Sequence, residues 1–449
     1  MSYQPSILFI NRVYPPARGA TGRILRDMAR SFSKDGWKVT IVTSDPQARR
    51  GGIVDAQDGP IIVKRVPGYN PHKSAWGYIK VWGRLLRCAA KQDKHDIVVS
   101  LTDPPMTVVM GGLIAKWKKS AHVHWLQDMY PDLFPVLGYK IPAPFMKLMR
   151  KWSRRALRRC DKIVVIGRCM AARLVQSGIK AGSITVIPNW PDMELLASDR
   201  PKTDYRNKKK REKKKIARDF DDLIKDENPK FRVLYSGNLG RAHPFKTVLD
   251  AAAMLQDEYD DVEFLFVGDG SRFDNMVAER NRRQLSNVRF LPHQPASRLR
   301  DLMESGDIHL VTMEDGADGM IVPSKIYSAL AVARPCIFMG PKTCEAARVI
   351  KDFGAGDVIR KKDAKALVAS VRKFRKDGKA WHAAHNGADE AGKVFVPDEA
   401  IRAFKKRIYD ILGLPFDDEK TKKAPRKTAA SQDADQTKTD SDAKARAAS

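Results

Sequence analysis

Apolar runs of four to six residues recur along this chain, each followed by a stretch whose apolar residues fall at helical spacing. "SILFIN" leads into a helical segment from about Thr21 to Phe32, Gly36 turns the chain, and "KVTIVTS" follows. "DIVVSL", "AHVHWL" and "DKIVVIG" continue the series. Such short, wholly apolar runs suit a parallel sheet covered on both faces, and parallel neighbours need crossover helices. The pattern restarts at "FRVLYSG" and passes through "VEFLFVGDG", "NVRFLP", "DIHLVTM" and "CIFMG". The expected fold is therefore α/β, with two doubly wound domains in series. Their bounds are residues 1–193 and 231–392, with a linker or insertion over 194–230. A chain of 449 residues is also too long for a single core. The amphipathic "DEAIRAFKKRIYDIL" predicts a C-terminal helix within 393–414, able to pack on either domain. Residues 415–449 lack aromatic periodicity and read as a disordered, basic tail.

The formal charge is +29, which favours anionic partners: nucleic acid, anionic lipid or phosphorylated substrates. The run "NKKKREKKK" (207–215) falls in the linker and reads as a solvated polar helix. No aromatic-basic recognition module accompanies the charge, so nucleic acid is not expected as a partner. Two stretches of the first domain, 73–91 and 144–162, mix aromatic and basic residues. The second sets Phe145, Leu148, Met149, Trp152 and Leu157 among seven Arg and Lys. Such helices can lie on an anionic membrane; the alternative is an apolar core face with a solvated basic face. "MSYQPSILFINR" reads as a buried strand rather than a signal peptide. The longest apolar stretch, 104–115, is too short to span a bilayer. The five cysteines (88, 160, 169, 336, 344) form no C-x-x-C pair, which predicts a reduced, cytoplasmic protein without a metal cluster.

The loops that follow the strands carry the chemistry. "NRVYPPARGATGRIL" lacks the compact G-x-G-x-x-G of a dinucleotide fold and places Gly19 and Gly22 around Thr21 at a helix start. No G-x-x-x-x-G-K-[ST] occurs, which argues against a P-loop NTPase. In the second domain "YSGNLGRAHPFK" puts Gly237, Asn238 and Gly240 beside Arg241, His243 and Lys246. Two glycines allow close backbone approach, and the cations suit a diphosphate; a glycine turn with surface cations is the alternative. "VGDG" (Gly268), "LPHQ" (Pro292) and "IVPSK" (Ser324, Lys325) would open on the same carboxyl edge, where open α/β sheets bind ligands. Pro323-Ser324-Lys325 reads as a helix start, which offers unpaired N–H groups to an anion. An ordinary N-cap with a surface lysine is the bland version.

In this order, "PPARGATGR", "HWLQDMYPD", "VIPNWPD", "YSGNLGRAH", "VGDG" and "VPSKIYSALAVARP" resemble a GT-B glycosyltransferase of the family 4 type. The branch is that of bacterial surface polysaccharides (exopolysaccharide and O-antigen), and the likeness covers roughly residues 5–390. It implies two Rossmann-like domains facing a cleft, with a nucleotide-sugar donor on the second and an acceptor on the first. It implies retaining hexosyl or N-acetylhexosaminyl transfer from a nucleotide-diphosphate sugar, with uridine as the expected base. No metal or other cofactor is expected. The acceptor would be a lipid-linked saccharide, reached peripherally at the inner face of the plasma membrane. On this resemblance Ser324 and Lys325 hold the donor diphosphate opposite Arg241 and Lys246, stabilising charge on the leaving group. Gly19, Thr21, Gly22, Gly237, Asn238, Gly240, Gly268, Pro292 and Ser328 are the expected substrate contacts. His122 and His124 share one face of their strand; as a metal pair they lack a third ligand. Asp128 or His124 can orient or deprotonate the acceptor hydroxyl, unless Asp128 only caps the next turn.

Two departures stand out. The wider family carries two glutamates separated by seven residues, and here those positions are Met320 and Ser328. Ser328 can still reach a ribose hydroxyl, more weakly than a carboxylate. The usual glycine before "RP" is Ala333, which at positive φ would cost about 1 kcal/mol. The lost acids keep two other readings open: a non-catalytic sugar-nucleotide-binding protein, and a GT-B sugar-nucleotide epimerase.

Overall fold

In the first sheet of the computed structural model, eight strands lie in the order β3-β4-β2-β1-β5-β6-β7-β8. They are β1 (Ser6–Ile10), β2 (Lys38–Asp45), β3 (Val54–Asp58), β4 (Ile61–Pro67), β5 (Ile97–Ser100), β6 (Ala121–Leu126), β7 (Lys162–Val165) and β8 (Ile184–Val186). All neighbours run parallel except the edge hairpin β3–β4. The second sheet is wholly parallel, in the order β11-β10-β9-β12-β13-β14. Its strands are β9 (Phe231–Ser236), β10 (Val262–Val267), β11 (Val288–Leu291), β12 (Ile308–Thr312), β13 (Cys336–Met339) and β14 (Gly356–Ile359). The structure describes residues 3–17, 19–45, 54–68, 75–196, 230–240, 245–270 and 272–418. The basic run 207–215, Arg241, His243 and the tail from 419 lie outside the described residues.

The doubly wound pattern expected from the alternation is the one found. Four strands escaped it. In β4, "IIVKRVP" interleaves Lys64 and Arg65 with apolar residues, and β3 is its polar hairpin partner. β8 is only three residues long, and β14, "GDVI", opens with a glycine and an aspartate, so neither presents an apolar run.

Each sheet reverses its winding once, between β1 and β5 in the first and between β9 and β12 in the second. Side loops diverge at such a reversal and leave a crevice at the carboxyl ends of the strands. The two crevices set the stage for the site.

The domains are joined by more than the chain. A shared apolar cluster brings Leu126, Met129 and Ile163 of the first together with Met320, Ile326 and Phe338 of the second. The Met129 N–H donates to the Met320 carbonyl at 2.8 Å. Glu345 accepts from the Arg168 backbone N–H at 2.5 Å and from its Nε at 2.9 Å. Gly167 permits this approach, since a Cβ there would press on Glu345 and Val322 at 2.9 Å. The C-terminal helix Pro397–Leu412 returns to the first domain. Its Phe404 is fully buried against Phe32 and Trp125, and Lys405 donates to the Ser31 carbonyl and to Asp35.

Candidate active site

At the second reversal, Gly237 follows β9 and Gly268 follows the neighbouring β10. Gly237 has φ 121° and Gly268 φ 141°, conformations that side chains rarely adopt. A Cβ on Gly268 would collide with the Gly237 carbonyl, and one on Gly237 would sit 2.9 Å from Lys325 Cε. The two loops are zipped by Gly237 N–H to Val267 O (2.8 Å) and Leu239 N–H to Asp269 O (2.7 Å). Lys325 therefore threads its stem beneath a bare glycine backbone. Its Nζ lies 5.0 Å from the Tyr235 ring centre, and no carboxylate pairs with it among the described residues. Burial pushes its ammonium down to about 8. An unpaired cation in such a place is a built invitation to an anion.

The helix that Lys325 opens is only seven residues long, Lys325–Ala331. Its Ile326 and Tyr327 N–H groups already bond to the Pro323 and Ser324 carbonyls. The helix end expected to bind an anion thus contributes less than the lysine does. Ser324 is the N-cap, but its hydroxyl makes no capping bond and stays available. Ser328, on the same helix, is half-buried. Asn238 and Gly240 lie in the loop after β9. Lys246 is elsewhere: exposed on the next helix, it pairs with Asp250 at 3.0 Å, so the structure does not bring it to Lys325. Pro292 is exposed at the end of β11, two strands from β9. Met320 is buried, its side chain in the interdomain cluster. Ala333 does adopt positive φ, 54°, with its methyl fully buried.

Across the cleft, the first reversal is bridged by an ion pair that sequence reasoning missed. Arg12, two residues past β1, holds Asp103, three past β5, through two bonds of 2.6 and 2.7 Å. Only the adjacency of β1 and β5 makes these residues neighbours, and one sequence does not show it. Gly19, Thr21 and Gly22 open the helix Ala20–Lys34 beside them. Gly22 lets that helix pack on Val13, whose carbonyl a Cβ would meet at 2.9 Å.

Asp128 follows β6. Burial, then the charge of Asp103, push its carboxyl up to about 7. A base poised there can accept a proton near neutral pH. His124 and His122 are both buried and share the Ser100 hydroxyl, each at 2.9 Å. Burial pushes them down to about 3 and about 4, so both imidazoles are neutral. Their shared partner is a serine, which accounts for the pairing without a metal. Gly111 makes room for this network, because a Cβ there would collide with Ser100 and His122.

Comparison with known proteins settles the family. Residues 19–190 match the glycosyl transferase 4-like domain, and residues 215–391 match glycosyl transferases group 1. The chain is a family 4-type GT-B glycosyltransferase. The glycosyltransferase is 25% identical over 383 residues to "Putative colanic acid biosynthesis glycosyl transferase WcaI" of Escherichia coli K12. That alignment covers 80% of this chain and 89% of the relative. Among solved structures, Anabaena HepE in complex with UDP-glucose superposes with a TM-score of 0.62 at 16% identity, covering 90% of this chain and 99% of that one. WaaG, a glycosyltransferase involved in lipopolysaccharide biosynthesis, gives 0.62 at 15% identity, with 88% and 99% covered. In this glycosyltransferase the family motif "VIPNWPD" is structural. Asn189 and Gln127 exchange amide bonds, and the buried Trp190 donates to Asp27.

Proposed function

We propose that this glycosyltransferase transfers a sugar, with retention, from a UDP-sugar to a lipid-linked saccharide in bacterial surface polysaccharide synthesis. The observation that carries the reading is the unpaired Lys325 ammonium beneath the Gly237–Gly268 cradle. In the reaction the acceptor hydroxyl oxygen bonds to the donor's anomeric carbon, and the bond from that carbon to the diphosphate oxygen breaks. Negative charge then grows on the diphosphate, where Lys325 and the Ser324 hydroxyl stabilise it more than in the ground state. Arg241, four residues after Gly237 in sequence, is proposed to assist. The hydroxyl proton passes to Asp128. Cationic side chains, rather than a bound metal, supply the charge in this scheme. Retention rests on the family likeness alone. The relative's colanic acid role and the UDP-glucose bound by HepE support the donor and the pathway class.

A membrane-surface location belongs to the same reading. No helix among the described residues is long and apolar enough to cross a membrane. The helix Ala143–Leu157 exposes Phe145, Leu148 and Trp152, and the adjacent helix Thr107–Lys118 exposes Leu113 and Trp117. Tryptophan and basic residues together favour an anionic interface.

A thermal-shift panel of nucleotide-diphosphate sugars tests the donor. A ligand at 100 times its dissociation constant adds roughly 2.7 kcal/mol of stability. At least one UDP-sugar is expected to do so, and to be transferred or slowly hydrolysed by the wild type. If no sugar nucleotide stabilises the protein, the donor assignment is wrong. Binding without any turnover would favour the non-catalytic reading.

A further inference from the structure

Four buried polar side chains of the first domain form one hydrogen-bonded line: Cys160, His122, Ser100 and His124. Strand pairing builds it. β5 and β6 run in register with Ser100 beside His124 and Val98 beside His122, so one hydroxyl reaches both rings. The Ser100 oxygen lies 2.9 Å from His122 Nε2 and 2.9 Å from His124 Nδ1. His122 Nδ1 lies 3.5 Å from the Cys160 sulfur, which in turn lies 3.5 Å from the Ala156 carbonyl oxygen. At the other end, His124 Nε2 has no hydrogen-bond partner among the described residues. The ring lines a cavity together with Asp128 and Thr102, whose buried hydroxyl is also unpartnered. The cations of that cavity, Arg150, Arg154 and Arg173, come from the helices Ala143–Leu157 and Arg168–Gln176, whereas Asp128 leaves the same strand as His124.

Counting hydrogens restricts this line. Burial keeps both imidazoles neutral, so each ring carries one N–H, and Ser100 and Cys160 carry one hydrogen each. If Ser100 accepted from both rings, its own hydrogen would stay buried and unpaired. It therefore donates to one ring and accepts from the other. Two arrangements remain. In the inward one, His124 gives Nδ1–H to Ser100, Ser100 gives its hydrogen to His122, and His122 gives Nδ1–H to sulfur; His124 Nε2 is left as a bare lone pair. In the outward one, the thiol donates to His122 Nδ1, His122 Nε2–H to Ser100, and Ser100 to His124 Nδ1; His124 Nε2 then carries a hydrogen. The outward arrangement sets S–H against an imidazole nitrogen, a better acceptor than the sulfur that the inward one must use. Neither arrangement conducts a proton. The line ends on a thiol that burial keeps protonated and on a peptide carbonyl, and neither takes up another hydrogen.

We infer that Cys160, His122 and Ser100 are positioning residues that fix His124 as its Nε2–H tautomer, a neutral hydrogen-bond donor to an oxygen of the bound acceptor rather than a base. Asp128 then receives the acceptor's proton alone. The tie to the acceptor rests on the transferase reading with Asp128 at the acceptor side; the tautomer follows from the buried line itself.

Nitrogen NMR spectra of the full chain, labelled at histidine, test it, because long-range couplings read which ring nitrogen holds the hydrogen. Signals lost in His122→Gln and in His124→Gln assign the two rings. Both are expected as Nε2–H tautomers, unchanged between about pH 5 and pH 8. A wild-type His124 with its hydrogen on Nδ1, or one that gains charge in that range, overturns the inference. Ser100→Ala should leave His124 as a mixture of tautomers and lower kcat about threefold to tenfold, the worth of one hydrogen bond, with KM for the sugar nucleotide unchanged. A His124 that stays wholly Nε2–H in Ser100→Ala would deny Ser100 its role. Cys160→Val should shift the His122 Nδ1 signal and Cys160→Ser should restore it; a signal indifferent to both removes the thiol from the line. The amide N–H of His124→Gln can stand in for Nε2–H but cannot act as a base. That variant should therefore turn over about tenfold faster than His124→Ala. Equal loss in the two overturns the donor role. Should the spectra agree while no UDP-sugar binds or reacts, the transferase reading fails and the tautomer stands. Should transfer proceed with His124 in the other tautomer, only this inference fails.

Discussion

At the scale of single residues, the two halves of the site are tuned in opposite senses. Lys325 is held at about 8, below its ordinary value, so below that pH the folded protein carries a charge it solvates poorly. Removing it should stabilise the apo protein at pH 7, with the gain shrinking as pH rises toward the ordinary lysine range. Turnover should fall about tenfold to a hundredfold in Lys325→Ala, since a charge-assisted contact is worth about 1.5–3 kcal/mol. A variant with full turnover would remove Lys325 from the leaving-group site. Asp128 is held at about 7, above its ordinary value. The stability this group contributes is complete below the ordinary carboxylate range and is lost as pH rises through about 7. Asp128→Asn should accordingly raise the melting temperature relative to wild type more at pH 8.5 than at pH 5. Wild-type turnover should climb through about pH 7 as the carboxylate forms, while the variant stays slow and flat with donor affinity intact. Equal pH profiles would deny Asp128 the role of base. Ala333 shows how a rule can be broken without penalty: the strain of φ 54°, roughly 1 kcal/mol, is matched by burying a methyl worth about 0.8 kcal/mol.

At the scale of elements, the basic helix Ala143–Leu157 buries only Met146, Ser153 and Leu157. Its Phe145, Leu148 and Trp152 are exposed, as are Leu113 and Trp117 of the neighbouring helix. The second aromatic-basic stretch was legible in the sequence; the contribution of Leu113 and Trp117 was not, because the run they sit in looks like core. Basic residues near an anionic leaflet contribute about 1 kcal/mol each, and screening limits their reach to about 8 Å at physiological salt. Lys151, Arg155, Arg158 and Arg159 changed to glutamate should release the protein from vesicles containing phosphatidylglycerol, with turnover on a soluble acceptor analogue kept. Cosedimentation at low and high salt measures the release. A wild type that ignores such vesicles even at low salt would contradict the peripheral-membrane reading.

At the scale of the whole molecule, the helix Pro397–Leu412 follows the second domain in sequence and closes the first domain from behind. Phe404 sits among Phe32 and Trp125, far in sequence from both. Phe404→Ala should destabilise by about 3–5 kcal/mol, and the loss should appear in the unfolding of the first domain although residue 404 follows the second. Hydrogen exchange in Ala20–Lys34 would report it. Unchanged protection there would mean that this helix is not integral to the first domain.

The alternation of apolar runs with amphipathic stretches determined both sheets, because burial on two faces leaves a short strand no other home. That Gly237, Gly268 and Lys325 gather at one carboxyl edge was also readable, since each lies in, or directly after, a loop that follows an apolar run. Pairing across the fold was not readable. That Lys246 turns to Asp250, that Arg12 holds Asp103, and that Thr102 is left with an unmet hydroxyl in a cavity all depend on which strands adjoin. Strand order is set by crossover and packing energies summed over the whole domain, and no local stretch of sequence carries that sum.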